Sequence, residues 1–252
     1  MVVDTFLFAW ELDMLECRLT EMSDFVDLFI FVESDKTFQG TTKPLVFEEN
    51  KSRFRQWENK IVYQTFQPPE TDNPWHREYA SREALKGLLS GLSENTIIIH
   101  GDVDEIVSKS VGHSLENQIN GGETVVLEQN FYSMAVDWLY PEPWYGTVIA
   151  RKAHVDNMTM LDMRNKRLSS RVVRGGWHFS WLGGEEYIKM KAASFSHTED
   201  SVQSYIRDMG VRLYTEGYHV LGEKLYPANV DDSYPKYIKS GKCPSSWFRP
   251  RG

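Results

Sequence analysis

The stretch Thr96-Ile97-Ile98-Ile99-His100-Gly101-Asp102-Val103-Asp104-Glu105-Ile106 constrains the fold more than any other part of the chain. Thr96 to Ile99 is β-branched throughout, with no polar alternation, which is the pattern of a central strand covered on both faces in an α/β protein. Gly101 then lets the backbone turn or a ligand approach closely. Three carboxylates within four residues repel one another, and such a cluster is most easily tolerated where a hard divalent cation neutralises it. An Asp-x-Asp triplet alone arises by chance roughly once in a chain of this size. Its weight comes from its place, because ligand sites of α/β proteins lie at the carboxyl ends of strands.

With 252 residues the chain can build one domain around a sizeable core. Eight Trp and twelve Tyr suit a sugar-binding cleft as well as a plain core. The formal charge of -8 argues against a general nucleic-acid or anionic-membrane surface. Any anionic ligand must therefore meet locally placed Arg or Lys. Cys17 and Cys243 are too few and too far apart for a disulfide framework, which points to a reducing compartment. The apolar opening Val2 to Trp10 is short, lacks a preceding basic region and contains Asp4, and no stretch reaches membrane-spanning length. A cytoplasmic protein without a membrane span is the expectation.

Taken in order, Val2 to Phe8 reads as a strand, Glu11 to Met22 as a helix with Leu12, Leu15, Leu19 and Met22 on one side, and Val26 to Val32 as a second strand. Such a unit commonly opens a nucleotide-binding sheet. Glu33, at its end, either accepts from a ribose or base or caps a turn. Ile61 to Phe66 reads as a third strand. The helix Trp75 to Leu92 puts Trp75, Tyr79, Leu85 and Leu89 on one stripe, with Arg82 near its centre. A guanidinium facing the core needs an anionic partner, either a protein carboxylate or a ligand phosphate.

Beyond the acidic cluster the pattern predicts a helix over Val111 to Ile119 ended by Asn120-Gly121-Gly122, then a strand over Thr124 to Glu128. The aromatic stretch Phe131 to Tyr145 lines a cleft or covers a sheet edge. Met158 to Arg174 is basic, and is either a solvated loop or a site for an anionic group. Alternation places Trp177, Phe179 and Trp181 on one face of an extended stretch and His178 on the other. Helices follow over Glu185 to Ala193 and Glu199 to Tyr214, with Thr198 as the N-cap of the second.

Several of these motifs occur in a fixed order: Glu11-Leu12-Asp13, Phe31-Val32-Glu33-Ser34, Gly101-Asp102-x-Asp104-Glu105-Ile106, Gly176-Trp177-His178-x-Ser180-Trp181 and Ser194-Phe195-Ser196-His197. Together they resemble glycosyltransferase family 17, whose best-known member adds bisecting N-acetylglucosamine to N-glycans. The resemblance implies a single α/β domain over 1–252 of glycosyltransferase-A type, Rossmann-like, with a mostly parallel central sheet flanked by helices. Residues 1–106 would form the nucleotide-binding half, 107–216 the acceptor half and 217–252 a C-terminal tail. The implied activity is inverting transfer from UDP-N-acetylglucosamine, with Mn²⁺ or Mg²⁺, to a hydroxyl of a glycan or glycoconjugate.

On matching positions, Asp102 and Asp104 would hold the ion that bridges the UDP phosphates. His178 or His197 would add a ligand, and Glu11, Glu33, Arg82 and Trp177 would contact the donor. Oxygen ligands favour Mg²⁺ or Mn²⁺. Inversion also needs a base for the acceptor hydroxyl. Glu186 ranks first because it follows the Trp-His motif at a helix start and matches an acid of the family, with Glu199 and Asp137 behind it. Two other classes compete: a metal-dependent phosphoester hydrolase and a non-catalytic carbohydrate-binding protein.

Overall fold

The opening strand, helix and strand build the centre of the molecule. The computed structural model describes residues 1–119 and 123–250. Among them ten strands form one sheet: β1 (Val2–Phe8), β2 (Leu28–Ser34), β3 (Ile61–Phe66), β4 (Ile97–His100), β5 (Glu105–Ile106), β6 (Val125–Ser133), β7 (Trp138–Leu139), β8 (Trp144–Arg151), β9 (Arg171–Ser180) and β10 (Tyr226–Pro227). The order β3-β2-β1-β4 is parallel throughout and reverses direction of travel at β1, a Rossmann-like half with its switch point between β1 and β4. Beyond β4 the expectation of a mostly parallel sheet gives way. β8 runs antiparallel to β4, and β6 antiparallel to β8, because the short aromatic connection from β6 to β8 has no room for a crossover. β9 returns parallel to β6, and its end also pairs with β5, setting His178 opposite Glu105. The sheet is therefore mixed, within a single α/β domain.

Helices cover both faces. Alternation along β1 sends Phe6 and Phe8 to one side, where Leu15, Leu19 and Met22 of the Leu12–Met22 helix meet them, and Val3 to the other. There the Pro74–Leu88 helix buries Leu85 against Ile30, Val32 and Ile98. Full burial of such a leucine stabilises by about 1.5–3 kcal/mol. This helix begins where Asn73 accepts from the Trp75 N–H at 3.0 Å with Pro74 in the first turn, and it stops at Leu88, short of Leu92. Its stripe divides in use: Leu85 and Leu89 enter the core, whereas Trp75 and Tyr79 line a cleft.

Two expected helices are broken. Val111 to Ile119 becomes Lys109–Gly112 and Leu115–Gln118, separated where the Ser114 N–H turns to the Val111 carbonyl at 2.9 Å and its hydroxyl donates to the Ser110 carbonyl at 3.0 Å. The expected stop at Asn120-Gly121-Gly122 lies outside the described residues. Glu199 to Tyr214 becomes Asp200–Met209 and Arg212–Glu216, divided at Gly210 with φ +52°. Glu199, not Thr198, takes the N-cap position. The last residues pack back, as Tyr237, Ile238 and Trp247 join the core beside the Leu12–Met22 helix. Among the described residues no helix is long and apolar enough to cross a membrane.

Candidate active site

A cleft of about 550 Å³ opens over the carboxyl ends of β1, β2 and β4, with Asp102 and Asp104 on its wall. The third acid of the cluster turns away from it. Glu105 is fully buried and accepts from Trp144 Nε1 at 2.8 Å, Thr147 Oγ1 at 3.0 Å and Arg164 Nη2 at 3.2 Å. A Cβ at Gly101 would strike its carboxylate and Thr147, and one at Gly146 would strike the same carboxylate and the Trp144 indole. Gly101 thus makes room for a buried carboxylate.

Asp102 is gripped from two sides. Its Oδ1 accepts from Arg82 Nη2 at 2.8 Å and its Oδ2 from Arg164 Nη2 at 2.6 Å, while Arg82 also reaches Glu78 Oε1 at 2.9 Å. Burial pushes the Asp102 carboxyl up, but Arg164 and Arg82 outweigh it and hold it well below the ordinary carboxylate range. Both guanidinia are buried, and among the described residues each keeps a buried Nη1 with no partner. Such orphaned donors are rare in folded proteins. Arg164 is delivered by the Met160–Asn165 helix, which starts at a capping box in which Thr159 and Asp162 satisfy each other's backbone N–H groups. Beside it Arg167 lies over the Trp144 ring, 5.5 Å from its centroid. Among the described residues, six Lys and Arg side chains line the cleft against four carboxylates. That balance is opposite to the net charge of -8 carried by the whole chain.

Asp104 is held more loosely. His178 Nε2 and Lys191 Nζ each stand 3.4 Å from it, and although burial raises its carboxyl, Lys191 and His178 bring it below the usual value. The His178 ring is stacked on Phe131 at 4.6 Å and tilted against Trp144 at 4.6 Å. Among the described residues no three His, Cys, Asp or Glu side chains converge as metal ligands. A hard divalent ion that takes one or two carboxylates and completes its shell with phosphate oxygens needs no closed cage. The cleft-facing Asp104, held among the described residues by 3.4 Å contacts to His178 Nε2 and Lys191 Nζ, fits such an open site.

The profile of glycosyltransferase family 17 matches residues 1–211. The chain belongs to glycosyltransferase family 17. It is therefore a glycosyltransferase, and the hydrolase and non-catalytic readings give way to it. No curated protein matches the sequence. Among solved structures, a 4-diphosphocytidyl-2C-methyl-D-erythritol synthase is 14% identical with TM-score 0.43, over 69% of this chain and 88% of that one. The galactosyltransferase LgtC, in complex with donor and acceptor sugar analogs, is 9% identical with TM-score 0.38, over 67% of this chain and 64% of its own. S. aureus TarS 1-349 is 12% identical with TM-score 0.40, over 82% and 69%.

Of the residues singled out in this glycosyltransferase, Glu11, Arg82, Asp102, Asp104, His178 and His197 line the cleft. The others do not. Glu33 is fully buried and accepts from Lys43 Nζ, the Val46 and Phe47 N–H groups and the Tyr63 hydroxyl, so it ties the loop after β2 and has no capacity left for a ribose. Trp177 points into the core from the strand face opposite His178. His197 stands at the rim, edge-on to Trp75 at 4.9 Å and 3.2 Å from Glu199, and is not grouped with the two aspartates as a metal ligand.

None of the three acids ranked as the base reaches the cleft. The Glu186 side chain is 89% exposed and pairs with Lys189, as an acid in a first helical turn commonly does. Glu199 is half exposed at its N-cap, and Asp137 is engaged by the Arg249 side chain and N–H at 2.9 Å each. Sequence reading left Arg164 in a basic run that is either a solvated loop or a site for an anionic group, and the Thr159-x-x-Asp162 capping box was the signal that would have put it on a helix. Lys191 was passed over, and carries no comparable signal.

Proposed function

We propose that this glycosyltransferase moves N-acetylglucosamine from UDP-N-acetylglucosamine to a hydroxyl of a glycan or glycoconjugate, with inversion and with the help of a divalent ion. One observation carries the donor reading: two arginines that line the cleft, Arg82 and Arg164, converge on a single aspartate at its wall, and among the described residues each keeps a buried Nη1 without a partner. A planar guanidinium matches the oxygens of a phosphate, and a diphosphate presents enough of them for both. Donors fixed before the reaction cost no reorganisation when negative charge gathers on the departing diphosphate. Asp104, with Asp102, would hold Mn²⁺ or Mg²⁺, which when bound supplies Lewis acidity at that phosphate.

The remaining residues orient. His178 lies against Asp104, and the Phe131, Tyr140 and Trp144 rings offer flat apolar surface to a pyranose. On this reading residues 1–106 carry the nucleotide, 107–216 face the sugar and the acceptor, and the tail that begins at 217 lends His219, Val220 and Leu221 to the cleft.

Calorimetry with UDP-N-acetylglucosamine, UDP-glucose and UDP-galactose, with and without Mn²⁺, tests the proposal. The N-acetylated donor is expected to bind tightest and with Mn²⁺ dependence. Asp104→Asn should abolish that dependence, and Arg164→Met should weaken binding about 10- to 100-fold in either condition. Absence of nucleotide-sugar binding by the wild type, with or without Mn²⁺, would overturn it.

A further inference from the structure

Beside the donor cleft, the geometry points to a second binding place: a side chamber of about 310 Å³ that takes one sugar ring of the acceptor, with Glu11 at its mouth accepting the proton of the attacking hydroxyl. This rests on the donor reading above. Chamber and cleft share a wall made of Trp10, Glu11, Asp104, Trp181 and Lys191, so a group seated in the chamber reaches the reacting end of the cleft past Asp104. The volume is at the lower end of small-ligand pockets, roughly 300–1,000 Å³, which admits a ring and leaves the rest of a glycan outside. Aromatic walls with carboxylates between them suit a pyranose, whose C–H face packs on rings while its hydroxyls donate to oxygen.

Glu11 stands apart among the carboxylates of the cleft. Glu78, Asp102 and Asp104 each lie against Arg, Lys or His, whereas Glu11 has no such partner among the described residues. Its Oε2 accepts from the Ala9 and Trp10 N–H groups at 3.2 and 2.8 Å, and its Oε1 accepts from the Tyr187 hydroxyl at 3.1 Å. Tyr187 therefore orients Oε1, the oxygen that the two backbone N–H groups leave free. At the divide, Trp181 is a buried non-glycine residue with φ +62°, and Lys191 stands 5.4 Å from its ring. Backbone held in that region is costly and gathers where a site requires it.

The step balances. The acceptor O–H bond breaks and its proton passes to Glu11 Oε1. The freed oxygen bonds to the anomeric carbon, and the bond from that carbon to the diphosphate oxygen breaks, its electron pair leaving with the nucleoside diphosphate.

Saturation-transfer NMR with UDP bound, using methyl α-mannoside, methyl β-galactoside and N,N′-diacetylchitobiose, tests the chamber. Ser246, exposed at its rim, is the place to fill it. At least one glycoside should give a signal in the wild type and in Glu11→Gln, reduced about ten-fold in Ser246→Tyr while UDP affinity stays unchanged. With that glycoside as acceptor, UDP release should fall about 100-fold or more in Glu11→Gln, while the glycoside signal is retained. Equal glycoside signal in Ser246→Tyr, no glycoside signal in a wild type that binds UDP, or undiminished turnover in Glu11→Gln would each overturn the inference. A wild type that binds no UDP fails at the donor reading, and that failure is seen separately.

Discussion

Two arginine–aspartate clusters lie within a few residues of the same loop and are built to opposite ends. Arg18 is fully buried, with Nε and Nη2 on the two oxygens of Asp4 at 2.7 and 2.6 Å and Nη1 on the carbonyls of Asp102, Val103 and Glu105. Arg82 and Arg164 share Asp102, whose side chain is 30% exposed, and each has a donor to spare. The electrostatics diverge accordingly. Burial raises the Asp4 carboxyl against the pull of its single arginine, whereas two arginines hold Asp102 low. A guanidinium whose every nitrogen is engaged by the protein is architecture; on the donor reading, the pair that converges on Asp102 at the cleft wall is held for a phosphate.

Arg18→Met should do the most damage, because it strands the Asp4 charge and three carbonyls in the core. A loss of about 3–5 kcal/mol is expected, read from the denaturant midpoint. Arg82→Met, which leaves Asp102 paired with Arg164, should lose about 1 kcal/mol of stability and far more of its UDP affinity. Equal unfolding by both variants would erase the distinction between the clusters.

Guanidinia do not titrate in the working range, so acid must act elsewhere. Burial lowers His219 from 6.5 to about 4, with Glu223 opposing the shift. Between those values the unfolded chain binds the proton and the folded chain does not. Stability from this group is thus whole above pH 6.5, falls as the pH drops toward 4, and is lower by about 3 kcal/mol beyond it. Chemical unfolding of the wild type and His219→Gln across that window should show a shallower fall in the variant. Some slope will persist, because burial also lowers His100, to about 3.

A smaller effect is expected of Arg164→Lys, which keeps a charge and loses the fork. Its UDP affinity should drop about five- to ten-fold, measured by calorimetry, with the fold intact. Smallest of all is Arg212→Ala. Arg212 and Glu216 pair on the surface at 2.8 Å, and their separation should leave the denaturant midpoint where it is in the wild type.

The sequence disclosed one half of this contrast better than the other. Arg82 was visible because helical period placed it on an apolar stripe, and its need for an anion followed from burial alone. Arg18 lies beside Leu15, Leu19 and Met22 on a helix that was itself legible, yet its partner Asp4 sits on a strand, and no local period links the two. Arg164 was hidden in a basic run that reads equally as a solvated loop. His178 reaches Asp104 only through the pairing of β9 with β5, a contact between distant segments that leaves no trace in either. The strands β1 to β4 could be read because each is rich in β-branched or aromatic residues. Glu186 misled for the reverse reason, since a helix-start acid has a local electrostatic explanation that needs no chemistry.

The Nη1 of Arg18 also bears on how quickly the cleft can be used. By holding the carbonyls of Asp102, Val103 and Glu105 it fixes the backbone of the acidic loop from beneath, so the loop surrenders its conformational freedom when the chain folds and not when a donor arrives. Docking at this loop then calls for side-chain adjustment without a preceding backbone rearrangement. Donor association should show a single kinetic phase, limited by encounter and electrostatic approach, and differences in affinity among donors should reside in how fast each one leaves.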